Sequence, residues 1–81
     1  MSYVPPVYVN GHEVVASALD KTSETAQFVV VCDRPHAEYD RYAVWTVAYI
    51  AGRIEGWQGF YTGDYYVALA YMARRASGGL Q

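Results

Sequence analysis

The sequence predicts a small α+β domain: an antiparallel β-sheet of about four strands, built from hairpins and packed by one C-terminal α-helix. Three observations predict it. Asn10-Gly11 separates two β-prone runs, Ala51-Gly52 separates two more, and a helical stripe follows Asp64 and stops at Ser77-Gly78-Gly79. The 81 residues, 53 % apolar and 17 % charged, make a single domain over 1–81, too apolar to stay disordered and too short for a large core.

Residues 1–6, with Pro5-Pro6, read as an extended arm, and N-terminal strands fill 7–33. Val7-Tyr8-Val9 and Glu13-Val14-Val15 flank Asn10-Gly11, whose residues both tolerate positive φ, so a hairpin is expected. Val14, Val15, Ala18 and Leu19 fit a helical stripe about as well as a strand, and the strand is the favoured reading. The polar run Asp20-Lys21-Thr22-Ser23-Glu24-Thr25 reads as a turn. Gln27 to Cys32 is a continuous β-branched run, the mark of a central strand covered on both faces, and it ends at Pro35, which cannot donate to a ladder.

A β-hairpin is expected over 41–61. With Ala51-Gly52 as a two-residue turn, Ile50 opposes Arg53, Ala48 opposes Glu55, Thr46 opposes Trp57 and Val44 opposes Gly59. On the other face Tyr49 opposes Ile54, Val47 opposes Gly56 and Trp45 opposes Gln58. This register makes Trp45, Val47, Tyr49, Ile54 and Phe60 the core face, and puts Tyr42, Val44, Thr46, Arg53, Glu55, Trp57 and Tyr61 opposite. Gly56 and Gly59 either leave gaps that neighbouring rings cover or mark bends.

The helix is expected over 64–76, capped by Thr62 or Asp64, with Asp64 at its positive end and Arg74 and Arg75 at its negative end. Tyr65, Ala68, Leu69, Met72 and Ala76 share the side that faces a sheet. Its other side carries Tyr66, Val67, Ala70, Tyr71 and Ala73 where Lys and Glu would be ordinary. Between residues 42 and 73 the only charges are Arg53, Glu55 and Asp64. So short a chain has no second layer to cover that side, and spare apolar area marks an interaction surface. The expected protein interface comprises Tyr66, Val67, Ala70 and Tyr71 on the helix with Tyr42, Trp57 and Tyr61 on the hairpin.

Chemistry is harder to find. His12, Cys32 and His36 are scattered without metal-ligand spacing, so neither a metal nor a cofactor is expected. A Cys32–His36 nucleophile pair is set aside because Cys32 lies in an apolar run, where a thiol is an inert small hydrophobe. None of Gly52, Gly56, Gly59 and Gly63 leads into the Lys-Ser/Thr of a phosphate loop. Tyr42, Trp57 and Tyr61 could stack single-stranded bases if they faced outward, but no basic groove surrounds them and the net charge of −2 disfavours nucleic acid. Three basic against six acidic side chains give residues 1–41 a net −3, and three against two give residues 42–81 a net +1. Eight carboxylates interspersed with basic residues are too few to imitate a phosphate backbone. A lone cysteine, an N-terminus without a basic or apolar leader and no bilayer-length apolar run point to a cytoplasmic protein that spans no membrane.

The run Asp40-Arg41-Tyr42-Ala43-Val44-Trp45-Thr46-Val47, a returning strand, and Tyr61-Thr62-Gly63-Asp64-Tyr65-Tyr66 opening a helix that ends in Ala73-Arg74-Arg75 resembles the small uncharacterised proteins of actinobacterial, especially mycobacterial, phages. The resemblance covers about half the chain, implies a host-cytoplasmic setting and assigns no catalytic residue. The expected function is a non-enzymatic accessory protein that binds a host or phage protein through its aromatic surface. The alternatives are a homo-oligomeric structural protein and, behind it, a single-strand nucleic-acid module.

Overall fold

The computed structural model describes residues 4–21 and 27–78. Residues 1–3 of the expected arm, 22–25 of the expected polar turn together with Ala26, and residues 79–81, with Gly79 of the expected helix stop, lie outside the described residues.

Two left-handed turns fold the chain back on itself. Asn10 and Gly11 (φ 51° and 78°) join strands β1 (Tyr8–Val9) and β2 (His12–Leu19), and Ala51 and Gly52 (φ 52° and 79°) join β4 (Tyr42–Ile50) and β5 (Arg53–Thr62). Positive φ at both central positions gives a turn whose twist matches the strands it connects. Strand β3 (Gln27–Asp33) lies between the two hairpins, and the single sheet runs β1-β2-β3-β4-β5, every neighbour antiparallel. The sheet has five strands rather than about four, because Tyr8 and Val9 pair with Glu13 and His12 as a strand of their own. Residues 14–19 belong to a strand, and β3 is the central one, with Val29 to Cys32 fully buried.

The helix α1 (Tyr65–Ala76) begins where Asp64 accepts hydrogen bonds at Oδ1 from the backbone N–H groups of Tyr66 (2.8 Å) and Val67 (3.2 Å). Those bonds satisfy donors that the first turn leaves free, so Asp64 is the cap. At the other end Ser77 N–H donates to Ala73 O and Gly78, at φ 84°, donates to Arg75 O. Lys21 N–H donates to Ala76 O, which ties the end of the helix to the segment that leaves β2.

Both faces of the sheet are covered, by different means. The sheet curls until Val9 Cγ1 lies 3.4 Å from the place a Cβ on Gly56 would occupy, so β1 reaches over β5. Inside the curl lie Val9, Phe28, Val30, Cys32, Ala43, Trp45 and Val47. The arm closes this side: Pro6 is buried and Tyr49 Oη donates to Val4 O at 3.0 Å. The helix covers the other face, where Ala68 and Ala76 meet Val29, Val31 and Val44, with Leu69, Met72, Phe60 and Tyr71 around them.

This arrangement corrects the expected hairpin faces. Pairing follows the expected register from Ile50–Arg53 to Thr46–Trp57 and then slips, so that Val44 meets Phe60 rather than Gly59. The slip is a β-bulge at Gln58, whose φ of 59° takes the strand through the left-handed region and adds one residue. A bulge moves every later side chain to the opposite face. Phe60 therefore leaves the Trp45 side and packs under the helix, while Tyr61 joins the Trp45 side, its ring edge-on to Trp45 at 6.2 Å. Gly59 makes room for this, since a Cβ there would stand 2.6 Å from Tyr61 Oη and 2.9 Å from Trp45 Nε1. The helix consequently rests on the Val44 and Thr46 face, not on the face expected to be the core.

Candidate protein-binding surface

The outer side of α1 is built by spacing alone. Tyr66, Ala70 and Ala73 fall on one line of the helix, with Val67 and Arg74 beside them, and all five are exposed. Tyr66 is the extreme case at 80 % exposed, and Val67 is 46 % exposed. Ala70 and Ala73 add only methyl groups to the face beside Tyr66. Arg74 borders this face at the basic end of the helix, opposite Asp64 at the capped end.

Tyr71 was expected on this side and instead turns inward. Its ring lies on Phe60 with centroids 3.9 Å apart and planes 3° from parallel, and the Arg75 guanidinium covers its far face at 4.7 Å. Arg75 also donates to Tyr71 Oη at 2.9 Å and to Thr46 Oγ1 at 3.3 Å. The three-layer stack Phe60, Tyr71, Arg75 locks the helix to the bulged end of β5. The bulge supplies the ring: it moves Phe60 to the helix side, where Tyr71 lies on it.

Three hairpin residues complete the expected interface, and the fold separates them. Tyr42 is half-buried against Tyr65, 5.2 Å between centroids, and Trp57 is half-buried on the same face beside Thr46. Tyr61 lies on the opposite face, where Arg34 stands over its ring at 4.9 Å. The base-stacking platform of Tyr42, Trp57 and Tyr61 is therefore not assembled. Of the seven expected residues, the structure brings Tyr66, Val67 and Ala70 together on one exposed strip. Ala73 shares that strip, and Arg74 was legible only as a charge for the helix end.

A second feature lies at the far end of the sheet, between the β1–β2 turn and the loop joining β3 to β4. Arg41 clamps the loop by donating to both carboxylate oxygens of Asp33, at 2.6 and 3.0 Å, which holds the Asp33 carboxyl below the usual carboxylate range. Arg34 donates to Asp40 O, and its buried Nε has no hydrogen-bond partner. Against this loop sits an open cleft of about 290 Å³ lined by His12, Arg34, Pro35, His36 and Ala37. His12 is half-buried over Trp45 at 6.2 Å, and His36 is exposed. No group of three His, Cys, Asp or Glu side chains that could hold a metal ion occurs among the described residues.

Cys32 is fully buried inside the curl, and burial pushes its thiol up to about 12. A thiol so placed is neither ionised near neutrality nor reachable, which removes it as a nucleophile. No helix among the described residues is long and apolar enough to cross a membrane. No protein-family model matches the chain, and neither a curated protein nor a solved structure does.

Proposed function

We propose that this chain is a small non-enzymatic binding protein, a phage accessory product, that engages a host or phage protein through the outer strip of α1. One observation carries the reading: Tyr66 is 80 % exposed in the first turn of a helix face whose neighbours Val67, Ala70 and Ala73 are uncharged, in a fold that has already used Tyr71, Tyr42 and Phe60 for its own packing. A tyrosine held this far into water on a rigid helix supplies a large apolar contact with a polar tip at little entropic cost, the property that enriches tyrosine in interfaces. The surrounding alanines let another surface approach the helix closely.

The test uses a photo-crosslinking amino acid in place of Tyr66 and, in a second protein, in place of Tyr39, which is 77 % exposed on the β3–β4 loop. The expected result is a discrete adduct from position 66 and none from position 39. The captured protein, once purified, should bind the wild type and lose most of its affinity for Tyr66→Glu. Equal labelling from both positions, or equal binding by Tyr66→Glu, overturns the reading. Tyr71→Glu is unsuitable for the purpose, because it would break the stack on Phe60 and unseat the helix.

A further inference from the structure

We infer that the outer strip of α1 pairs with the same strip of a second copy, the two helices antiparallel across a two-fold axis at Ala70. This rests on the reading that the strip is a docking surface, and it names a partner for it.

The sequence of the strip is self-complementary about that residue. Tyr66 lies four positions before Ala70 and Arg74 four after, while Val67 and Ala73 lie three to either side. In an antiparallel pair centred on Ala70, each Tyr66 ring therefore faces the other copy's Arg74, each Val67 faces an Ala73, and the two Ala70 methyl groups meet on the axis. Small residues at the crossing allow the helices to approach to about 8 Å, near the lower limit for packed helices. A two-fold contact of this kind uses one patch twice and closes, so association stops at the dimer.

Charge fits as well as shape. The basic last turn of each helix comes beside the positive end of the other, where Tyr66 offers a ring face to Arg74 and the capping Asp64, just before the first turn, adds a nearby negative charge. Arg74 is the basic residue left for this: Arg75 is committed to Tyr71 and Thr46, whereas Arg74 is exposed. The molecule already sets an arginine over a tyrosine at Arg34–Tyr61, Arg41–Tyr42 and Arg75–Tyr71, and the dimer would form the same pairing twice more between copies. Two helices of 12 residues bury little area, so the dimer is weak and leaves the strip open to a tighter partner.

Sedimentation equilibrium from about 10 µM to 1 mM tests the pairing, with a dissociation constant of roughly 10–500 µM expected for the wild type. Tyr66→Arg sets two arginines against each other at both ends and should weaken the dimer about tenfold or more. Adding Arg74→Tyr in the same chain restores the pairing with its partners exchanged, and affinity should return to within about threefold of wild type. A wild type that stays monomeric at 1 mM, or a double variant as weak as Tyr66→Arg, overturns the inference. Such a monomer that still gives the position-66 adduct with a different protein overturns the pairing alone; loss of that adduct as well overturns the docking surface itself.

Discussion

At the scale of single residues, the core is defined by what it forbids. Cys32 sits where its thiolate would have no solvation, so the folded chain prefers the neutral thiol far beyond the ordinary 9.0, up to about 12. The sign follows directly. Below 9.0 both states carry the proton and stability is undiminished; between 9.0 and about 12 the unfolded chain ionises first, and stability falls as pH rises. Urea unfolding at about pH 8 and about pH 10.5 should show a drop in the wild type that is smaller in Cys32→Ala. At neutral pH a thiol reagent should label the native protein at least about a hundredfold more slowly than the urea-unfolded chain, and equal rates would place Cys32 at the surface. Asp33 titrates in the opposite sense. Its carboxyl is lowered by the hydrogen bond from Arg41, so the stability it contributes is present above the ordinary carboxylate range and fades as pH falls through the lowered value. Arg41 faces water and Asp33 is half-buried, so salt screens the pair in part.

At the scale of elements, local chemistry and tertiary demand agree in most places and conflict in two. The Asn10-Gly11 turn has the residues its geometry needs, whereas the equivalent turn of the second hairpin puts Ala51 at φ 52°. A Cβ in the left-handed region costs roughly 1 kcal/mol, which Asn lowers by bonding locally. Ala51→Asn should therefore stabilise the protein by about 0.5–1 kcal/mol and raise Tm by about 2–8 °C; no change in a melt would show that this turn carries no strain. The second conflict is Gln58, also left-handed. Both hairpins, the central β3 and the helix with its cap were legible because turn dipeptides, β-branched runs and helical spacing are local signals. The bulge was not, since glutamine gives no local cue for a left-handed conformation. Its only trace was Gly59, read equally well as a bend or as a gap for a ring. From that single residue followed the misplaced faces of Phe60 and Tyr61, and because the helix packs on the face of Tyr42 and Trp57, the candidate strip shrank from both elements to the helix alone. The exposed half of the helix, Tyr66, Val67 and Ala70, was readable from spacing because helical periodicity sets these residues away from Ala68 and Ala76, which face the sheet.

At the scale of the whole molecule, one sheet serves two interiors. The helix seals one, but the other depends on the curl of the sheet and on the arm that ends in Pro6 and the Tyr49–Val4 hydrogen bond. The arm is thus a structural wall. Deleting residues 1–6 should cost about 1–3 kcal/mol, seen as a lower urea midpoint with increased dye binding to apolar surface, while the helix signal in circular dichroism persists until the cooperative transition. An unchanged midpoint would show that the curl suffices. The bulge has a final consequence at this scale. β5 is a ten-residue strand at the border of the sheet, with few charges, and such borders recruit further strands edge to edge. The left-handed step at Gln58 breaks that border into two short, differently twisted halves. The residue that tips Phe60 beneath the helix thereby also interrupts the edge along which a further strand would pair.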